Sequence, residues 1–459
     1  MSTPNYRVEN PVTGKVEETF ESTTDAQALE AVDTAHAAFT SWRATPIEER
    51  AKVVHRIAEL FEERKDELAQ IISTEMGKPL SEGVEEVEFS SAIFDYYATN
   101  GPSFAADEKI PSEGGTAHIQ RLPLGVLLGI MPWNFPYYQV ARFAAPNLML
   151  GNTIVLKHAE ICPRSALAIQ QIMEDAGLPE GVYTTVFATH EQIEKVIEHK
   201  HLQGVSLTGS ERAGAAVAAI AGKNLKKAVL ELGGSDPYIV LDTDDVKAAA
   251  ELAWGTRMYN TGQACNSNKR MIIMEDIYED FVAHLVTLAE GMKPAKPEEA
   301  GEGTFTPLSS RTAAEGLKKQ LDRAVEAGAT LHAGGQLLDE ASSYISPAVL
   351  TNVPVGSEIY YEELFGPVAT VYKVASEEEA IALANDSQYG LGGAVFSQDE
   401  ARAAAVARQL EVGMANVNTP AGEGAEIPFG GVKRSGYGRE LGPYGMDEFV
   451  NKRLYYVAD

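Results

Sequence analysis

Cysteine and histidine are both scarce in this sequence, and their scarcity narrows the chemistry open to it. Only two of the 459 residues are cysteines, Cys162 and Cys265, so a disulfide framework is excluded and the paired-cysteine spacing of a zinc site is missing. The nine histidines do not supply a zinc-protease helix, because the residue four positions after His190 is Glu194. We therefore expect neither a disulfide nor a bound metal.

Long apolar runs and positive charge are also in short supply. The longest apolar stretch, residues 122–131, is interrupted by Pro123, Gly125 and Gly129 and is too short for a transmembrane helix. Residues 1–7 are polar and do not resemble a secretory signal. With 38 basic against 66 acidic residues the net charge is −28, which argues against nucleic acid or anionic membrane bound through a basic surface. These absences predict a cytoplasmic protein that binds neither nucleic acid nor a membrane.

The sequence does contain a regular alternation of short apolar strands and helices, which predicts an α/β fold. Five strands are expected in its first half, with helices between them, at residues 125–131, 153–157, 183–187, 204–208 and 228–232. A second alternating set extends over residues 236–418. This alternation is typical of parallel sheets covered by helices on both faces.

The regions outside this alternation give further expectations. A hairpin is predicted over residues 6–20, followed by helices at 25–41, 47–76 and 80–99, and the acidic stretch 293–305 is expected to be an exposed loop. Two isolated strands are predicted, at residues 118–122 and 452–457. An isolated strand needs a partner, and an exposed edge favours pairing with another subunit.

Cys265 is the strongest candidate for chemistry. Its neighbours from Gly262 to Asn268 are small or polar, and a thiolate needs a polar, partly open setting of this kind. Two interpretations stay open, a nucleophile or the small buried residue that most free cysteines are. Cys162, which directly precedes Pro163 and a predicted helix, fits the second interpretation.

Two further residues can assist a nucleophile. Glu231 ends an apolar strand, where burial raises the pKa of a carboxyl and suits it to act as a general base, although a structural glutamate fits as well. Asn134 lies between Trp133 and Phe135 in a proline-rich turn. Its amide can stabilise an oxyanion, or it can be an ordinary turn residue.

A third segment weakly indicates a phosphate-binding site. Residues 205–214 read as a strand, a turn through Gly209 and Ser210, and a helix start, where backbone N–H groups can face an anion. The segment matches neither the G-x-G-x-x-G dinucleotide pattern nor a Walker loop. On its own it does not identify a cofactor.

Taken together, these segments resemble the NAD(P)-dependent aldehyde dehydrogenase superfamily over nearly the whole chain. The family's motifs occur here in their usual order, at residues 132–136, 208–210, 230–234, 262–265, 362–368 and 428–436. The resemblance implies a Rossmann-like cofactor domain, an α/β catalytic domain and a small β flap used in oligomerisation. The cofactor domain would comprise residues 1–104 and 124–233, the catalytic domain residues 234–435, and the flap and tail residues 105–123 and 436–459.

The resemblance also implies roles for individual residues. Cys265 would be the nucleophile and Glu231 the base, while Asn134 and the Cys265 backbone N–H would form the oxyanion hole. An aldehyde would be oxidised through a cysteine thioester. The residues implied in cofactor binding are Trp133, Lys157, Glu160, Gly209, Ser210, Gly214, Leu232, Glu363 and Phe365. A homo-oligomer, either a dimer or a tetramer, is expected.

The segment after Asn134 narrows the substrate. Tyr138 and Arg142 are four residues apart and share a helical face, and an arginine there can bind a carboxylate with two hydrogen bonds. The segment resembles the succinate-semialdehyde dehydrogenase branch, with Tyr138 where close relatives often have Trp. This predicts succinate semialdehyde or a similar short ω-carboxy aldehyde as the substrate.

Two alternatives to this substrate prediction stay open. Arg142 can instead form a structural ion pair, in which case the substrate can be an uncharged aldehyde. A catalytically silent protein on the same scaffold is the remaining alternative. For the cofactor, Glu160 favours NAD because a carboxylate accepts the ribose hydroxyls and repels the additional phosphate, and NADP stays possible.

Overall fold

The computed structural model describes residues 6–459, which form two large α/β sheets, a three-stranded sheet and several two-stranded ribbons. The helices in this range are α1 Asp25–Trp42, α2 Ile47–Glu63, α3 Lys65–Met76, α4 Leu80–Phe104, α5 Tyr138–Leu150, α6 Pro163–Asp175, α7 His190–Glu198, α8 Glu211–Lys223, α9 Val246–Met258, α10 Glu275–Gly291, α11 Arg311–Ala327, α12 Glu377–Asn385 and α13 Glu400–Ala407. Short 3₁₀ helices cover Tyr259–Gly262, Pro297–Glu299, Ile359–Tyr361 and Pro443–Asp447.

The strands follow the same chain order. They are β1 Tyr6–Asn10, β2 Lys15–Phe20, β3 Glu108–Ile110, β4 Gly115–Pro123, β5 Val126–Ile130, β6 Thr153–Lys157, β7 Tyr183–Thr185, β8 Leu202–Thr208, β9 Lys227–Glu231, β10 Pro237–Val240 and β11 Arg270–Met274. The second half contains β12 Lys293–Pro294, β13 Thr304–Phe305, β14 Thr330–Ala333, β15 Ala348–Thr351, β16 Val368–Val374, β17 Tyr389–Gly390, β18 Gly392–Phe396, β19 Met414–Val417, β20 Val432–Lys433, β21 Gly436–Tyr437 and β22 Val450–Ala458.

The first large sheet has a topological switch at its centre. Its strand order is β21-β9-β8-β5-β6-β7, and the strands from β9 to β7 are parallel. The chain enters at β5, moves outward through β6 and β7, and then crosses to the other side of β5 to form β8 and β9. Ligands of such sheets bind beyond the carboxyl ends of the strands where the winding reverses. The ends of β5 and β8 therefore mark the expected cofactor position.

The second large sheet lies later in the chain, over residues 237–417. Its order is β14-β15-β16-β11-β10-β18-β19, and all neighbouring strands are parallel except β14 and β15. The buried strand β10, and β11 after its first residue Arg270, are continuous apolar runs, as expected for strands covered on both faces. The α/β class that the sequence predicts is confirmed.

The two isolated strands predicted from the sequence pair with each other. β22 runs antiparallel to β4, with Tyr455 opposite His118, and β3 completes a three-stranded sheet. The outer part of β22 exposes about half of the side-chain surface of Tyr455, Tyr456 and Val457. At residues 436–437, β21 joins the edge of the first large sheet rather than this small one. The division of the chain into domains stays a prediction.

Two expectations about local structure are wrong. The helix predicted over residues 47–76 is divided at Arg64, whose φ of −110° and ψ of 13° leave the helical region. No glycine or proline marks this break in the sequence. The stretch 293–305 is not simply an exposed loop, because β12 and β13 pair within it and the side chains of Pro297 and Phe305 are buried.

Helix α5 leads from the turn at Asn134 into the core, and a buried carboxylate fixes its start. Glu86 of α4 accepts hydrogen bonds from the backbone N–H groups of Tyr137, at 2.8 Å, and Tyr138, at 3.2 Å. The buried Lys78 forms an ion pair with the same carboxylate. The first N–H groups of a helix lack partners within the helix, so Glu86 both caps α5 and lies at the positive end of its dipole.

None of the helices in residues 6–459 combines the length and the apolar character that crossing a membrane requires.

Candidate active site

Cys265 lines a large cleft bordered by α4, α5, α9 and the segment that follows β19. The cleft has a volume of about 730 Å³ and is lined by the predicted nucleophile together with aromatic and aliphatic side chains, among them Phe135, Tyr138, Tyr259, Phe429 and Leu441. Among the described residues that line it, Glu85, Glu86 and Glu423 carry charge and none is Lys or Arg. A second cleft, of about 810 Å³, lies beside α1, α6 and β7 and contains none of the predicted site residues in the described part of the chain.

The backbone before Cys265 is held in an unusual conformation. Asn260 and Thr261 have φ angles of 49° and 51°, in the left-handed region that a β-branched threonine rarely adopts. Gly262 follows at φ 75°, and a Cβ atom there would lie 2.3 Å from the Gly366 carbonyl oxygen. Left-handed residues of this kind persist only where the surroundings enforce them, and they cluster at functional sites.

Hydrogen bonds join this segment to the turn at Asn134. The Asn134 Nδ2 atom donates to the carbonyl oxygen of Gln263 at 3.0 Å, and Asn260 Nδ2 donates to the Asn134 carbonyl at 2.9 Å. Glu82 of α4 accepts the Asn260 backbone N–H at 2.7 Å. The predicted oxyanion donor and the segment that leads to the nucleophile are therefore in direct contact.

Arg257 also holds this segment in place, a role that was not predicted from the sequence. Its buried guanidinium donates to the carbonyls of Gly262, Leu364, Gly366 and Val368 and to the Ser267 hydroxyl. Burial lowers the pKa of Arg257 to about 9. Five donors matched by five acceptors hold together the two loops that carry Cys265 and the 362–368 motif.

Burial raises the pKa of the Cys265 thiol to about 11. The positive charges of Arg142 and Lys269 act in the opposite direction, while the carboxylates Glu231 and Glu363 add to the increase. All four groups therefore lie close enough to influence the sulfur. Cys162, in contrast, is fully buried, and burial raises its pKa far above the ordinary value, as expected for a structural cysteine.

Glu231 is a buried carboxyl group without a hydrogen-bond partner. It ends β9 with 2% of its surface exposed, and both carboxyl oxygens lack a partner among the described residues. Burial raises its pKa well above the ordinary value, and the nearby Glu440 adds to the increase. A Cβ atom on Gly430 would lie 2.7 Å from its Oε1. An unpaired carboxyl with a raised pKa is what a general base near neutral pH requires.

Tyr138 lines the cleft and Arg142 lies behind it. Arg142 Nε is 2.8 Å from a carboxylate oxygen of Glu440, and Arg142 Nη1 donates to the Tyr138 hydroxyl at 3.4 Å. The guanidinium also packs over the rings of Tyr138 and Phe429. Tyr138 and Arg142 share a helical face, as predicted, but Arg142 is fully buried and is not among the residues that line the cleft. The structural ion pair considered from the sequence is therefore present, and direct contact of Arg142 with a substrate stays a prediction.

The predicted phosphate segment lies at the carboxyl end of β8. The Ser210 side chain caps α8 by accepting the Ala213 N–H at 3.3 Å, while the Gly209 N–H donates to the Glu231 carbonyl at 2.9 Å. A Cβ atom on Gly214 would lie 2.6 Å from the Leu232 side chain. Glycine at this position thus allows α8 to pack closely on the end of β9, beside the topological switch.

Lys157 and Glu160 lie at the same edge of the sheet, two strands away from β8. Lys157 ends β6, and its Nζ atom is 2.5 Å from Glu160 Oε1. Burial alone would raise the pKa of Glu160, but the Lys157 ammonium outweighs this effect and the pKa is lowered. The carboxylate is therefore ionised, and its charge is partly balanced by its neighbour.

The third group of predicted cofactor residues comes from the second sheet's loops. Phe365 meets Trp133 edge-on at 5.8 Å between ring centres. Glu363 accepts the Gly234 N–H at 3.1 Å, and a Cβ atom on Gly233 would lie 2.5 Å from its other oxygen. A carboxylate, an aromatic pair and a helix N-terminus thus border the switch point, and these groups fit a dinucleotide with its ribose hydroxyls and phosphates.

Three polar residues of this site were missed in the sequence, namely Glu82, Arg257 and Lys269. Glu82 contacts Asn260, and Arg257 contacts the distant carbonyls of residues 364, 366 and 368, so local patterns give no signal for either residue. A weak signal existed for Lys269, because two basic residues, Lys269 and Arg270, start an otherwise apolar strand.

One group of side chains in residues 6–459 could hold a metal ion. It consists of Asp33, His199 and His201, whose ligand atoms lie within 4.8 Å of one another on the surface of α1 and the loop after α7. A 2.9 Å contact between His201 Nδ1 and Asp33 already accounts for this arrangement. The group shares no residue with the cleft.

Comparisons with known proteins agree with this geometry. A model of the aldehyde dehydrogenase family matches residues 1–454. The chain is 50% identical over 445 residues to a protein of Deinococcus radiodurans named succinate-semialdehyde dehydrogenase (NADP(+)), covering 97% of this chain and 93% of that protein. It is 38% identical over 449 residues to a probable succinate-semialdehyde dehydrogenase (NADP(+)) of Synechocystis, covering 98% and 99%.

A solved structure shows the same similarity in three dimensions. The crystal structure of succinic semialdehyde dehydrogenase from Streptococcus pyogenes in complex with NADP+ superimposes with a TM-score of 0.96 at 41% identity. The match covers 99% of this chain and all of that one.

Proposed function

Because this chain belongs to the aldehyde dehydrogenase family, we propose that it oxidises succinate semialdehyde, or a similar short ω-carboxy aldehyde, to the acid through a thioester on Cys265. The observation that carries this proposal is the cleft in which Cys265, Tyr138 and the residues around Asn134 meet, with Arg142 directly behind. The names of the relatives from Deinococcus and Synechocystis and of the Streptococcus structure support this substrate.

The first step is attack of the Cys265 thiolate on the aldehyde carbon. A C–S bond forms, and the carbonyl oxygen takes up the electron pair and becomes an oxyanion. The Asn134 amide has a second N–H beyond the one it donates to Gln263, and this N–H can donate to the oxyanion together with the Cys265 backbone N–H. The contact with Gln263 holds the Asn134 amide plane in place before substrate arrives.

The second step requires an electron-pair acceptor, which a bound nicotinamide ring would supply by accepting a hydride. The residues that would hold this cofactor are Ser210 at the α8 N-terminus, Lys157 with Glu160, and Glu363 with Phe365. Loss of the hydride from carbon restores the carbonyl and leaves an acyl group on the sulfur as a thioester.

The last step is hydrolysis of the thioester. Glu231 has no hydrogen-bond partner among the described residues, so its carboxylate can accept a proton from a water molecule. The water oxygen attacks the thioester carbon, the C–S bond breaks, and the thiolate and the carboxylic acid are released. The raised pKa of Glu231 makes it a stronger base than an ordinary glutamate.

Recognition of the substrate carboxylate is assigned to the Tyr138 hydroxyl with Arg142 behind it. The Tyr138 oxygen accepts from Arg142, so its O–H is available to donate to a group in the cleft. Arg142 adds a positive charge close behind the tyrosine ring, with its guanidinium carbon 4.7 Å from the ring centre.

For the cofactor, we propose that both NAD and NADP are accepted. The sequence-based preference for NAD rests on the ionised Glu160, and it is not confirmed, because the relatives' names specify NADP. The Lys157–Glu160 ion pair reduces the repulsion that Glu160 exerts on a ribose phosphate. The carboxylate and the ammonium thus give each cofactor a favourable partner.

We also propose that the protein is cytoplasmic and acts as a homo-oligomer built through the three-stranded sheet. Two free cysteines, one of them the nucleophile, suit a reducing compartment. The exposed apolar side chains of β22, at the edge of its sheet, support the second part. Light scattering of the purified protein measures the oligomeric state, and a monomer would contradict the proposed homo-oligomer.

The test of the substrate proposal is a panel of aldehydes measured with each cofactor. We expect kcat/KM for succinate semialdehyde to exceed that for butanal, which has the same chain length without the carboxylate, by at least tenfold. Tyr138→Phe should raise KM for succinate semialdehyde about tenfold, as expected for one charge-assisted hydrogen bond, and leave butanal unchanged. Tyr259→Phe, which alters another tyrosine of the cleft, is the matched control.

Two outcomes would contradict the proposal. Equal kcat/KM values for both aldehydes would favour an enzyme for uncharged aldehydes. Reduction of neither cofactor with any aldehyde, together with a Cys265→Ser variant indistinguishable from the unchanged protein, would favour a silent scaffold.

A further inference from the structure

Lys269 is buried next to the nucleophile, with 2% of its surface exposed. Its Nζ atom donates to the carbonyl oxygens of Ala264, at 2.7 Å, and Cys265, at 2.8 Å, and lies 3.0 Å from Glu363 Oε1. A lysine ammonium has three N–H donors, and here each has an acceptor. The Lys269 ammonium thus contacts both the Cys265 loop and the 362–368 motif.

The surroundings leave this arrangement little freedom. The same Glu363 oxygen accepts the Gly234 N–H at 3.1 Å, and a Cβ atom on Gly234 would lie 2.4 Å from the Cys265 carbonyl oxygen. The ammonium also lies 5.5 Å from the centre of the Phe365 ring. The Cys265 carbonyl is therefore enclosed between Lys269 and the backbone at Gly234.

We infer that Lys269 is a positioning residue for Cys265. Lys269 orients the Cys265 backbone N–H of the proposed oxyanion hole, and it links Cys265 to Glu363, the carboxylate assigned to the cofactor ribose. This inference rests on the proposed function and extends it to a residue outside the motifs quoted above. It concerns the protein's own groups and can be tested without aldehyde or cofactor.

Peptide geometry gives the first reason. The Ala264 carbonyl and the Cys265 N–H belong to one planar trans peptide unit, in which the two groups point in opposite directions. By holding the Ala264 oxygen, Lys269 fixes the direction of the Cys265 N–H. By holding the Cys265 oxygen as well, it fixes the next peptide plane, so the backbone on both sides of the nucleophile is set before substrate binds.

Electrostatics gives the second reason. The charged groups that face the Cys265 thiol are Arg142, Lys269, Glu231 and Glu363. Arg142 and Lys269 are the positive groups among them, so removing Lys269 leaves less positive charge around the sulfur to offset Glu363. A thiolate is disfavoured there, and the pKa of the thiol should rise further. Lys269 also faces Asp236, which lies beyond the Cys265 loop.

The experiment measures alkylation of Cys265 by iodoacetamide as a function of pH, in the full-length protein without aldehyde or cofactor. Peptide mass spectrometry separates Cys265 from the buried Cys162. We expect Lys269→Met to reduce the rate at pH 8 about tenfold and to move the inflection to higher pH, because only the thiolate reacts. Lys269→Arg should restore at least half of the loss, because it keeps the charge.

Two further variants separate positioning from a general effect of losing a lysine. Lys226→Met is the matched control, since Lys226 also donates to two backbone carbonyls, of His199 and Leu202, but lies away from the cleft. It should leave the alkylation profile unchanged. Glu363→Gln should move the inflection to lower pH and make the effect of Lys269→Met smaller, because the carboxylate no longer holds the ammonium.

The outcomes are distinct from those of the aldehyde panel. If Lys269→Met keeps the alkylation profile of the unchanged protein, the inference is wrong even where that protein oxidises succinate semialdehyde. If Lys269→Met does not fold, as judged by circular dichroism, Lys269→Arg and Glu363→Gln carry the test. In that case an unchanged profile in Glu363→Gln would overturn the inference.

Discussion

The Asn134 side chain and the Gln263 carbonyl oxygen are joined by a 3.0 Å hydrogen bond although 129 residues separate them in the sequence. This bond brings the proline-rich turn after β5 against the segment that carries Cys265. Asn260 strengthens the same contact by donating to the carbonyls of both residues. The proposed oxyanion hole would thus combine loops that follow strands of two sheets, and its geometry would depend on how these loops meet.

The first prediction concerns Asn134 itself. Asn134→Ala should lower kcat about 10²–10³-fold, the usual effect of removing one oxyanion-hole donor. KM should change little, because the donor acts mainly on charge that develops after attack. Steady-state kinetics measures both. Asn100→Ala, which removes one side-chain bond to the Tyr96 carbonyl, is the control and should keep full activity. A similar loss in both variants would indicate a folding defect.

The second prediction separates the two chemical steps at Glu231. Glu231→Gln should still form the thioester but hydrolyse it slowly, so a rapid burst of reduced cofactor precedes a slow steady state. Mass spectrometry of the quenched protein should show one acyl group on Cys265. Loss of the burst as well as the steady state would place Glu231 before thioester formation.

The same substitution should increase stability at high pH. An unfolded glutamate ionises near pH 4.3, whereas burial keeps Glu231 protonated to a much higher pH in the folded state. The folded state therefore binds more protons, and stability falls as pH rises through this interval. Glutamine removes the effect, so its advantage in the midpoint of thermal unfolding should grow from pH 5 to pH 9. A constant difference would contradict the assigned raised pKa.

The third prediction concerns cofactor choice. Glu160→Gln removes the charge that we propose to face the ribose and should shift the ratio of kcat/KM for NADP to that for NAD about tenfold towards NADP, equivalent to about 1.4 kcal/mol. Glu174→Gln, an exposed carboxylate on α6, should leave the ratio unchanged. An unchanged ratio in Glu160→Gln would remove Glu160 from the cofactor site.

The fourth prediction tests the contact between α4 and the strained segment. Glu82→Leu removes the acceptor for the Asn260 N–H and should reduce kcat about tenfold, in line with loss of a charge-assisted hydrogen bond of about 1.5–3 kcal/mol that acts only partly on the transition state. Glu82→Gln keeps an acceptor oxygen and should retain most activity. Burial raises the pKa of Glu82 to about 7, so the glutamine also imitates the protonated group. Equal losses in both variants would contradict the hydrogen-bond explanation.

Local patterns in the sequence predicted the elements that depend on a few neighbouring residues. The strand Thr153–Lys157 was predicted with its exact limits, because a short apolar run between a glycine and a polar turn has one good solution. The division of the long helix at Arg64 was not predicted, because no residue type there breaks a helix. Packing of α2 and α3 against α4 decides it. Propensity is a weak guide where tertiary contacts dominate.

The sequence by itself determined the α/β class, the family resemblance and the identity of Cys265, Glu231 and Asn134 as candidates, because these follow from composition, periodicity and short motifs. Only the tertiary structure decided that Arg142 pairs with Glu440 behind Tyr138, and that Arg257 and Lys269 hold the loop that carries Cys265. The physical reason is that each of these three charged groups has a partner far away along the chain. A buried charge is stable only beside particular partners, and these partners come from segments that no local pattern connects.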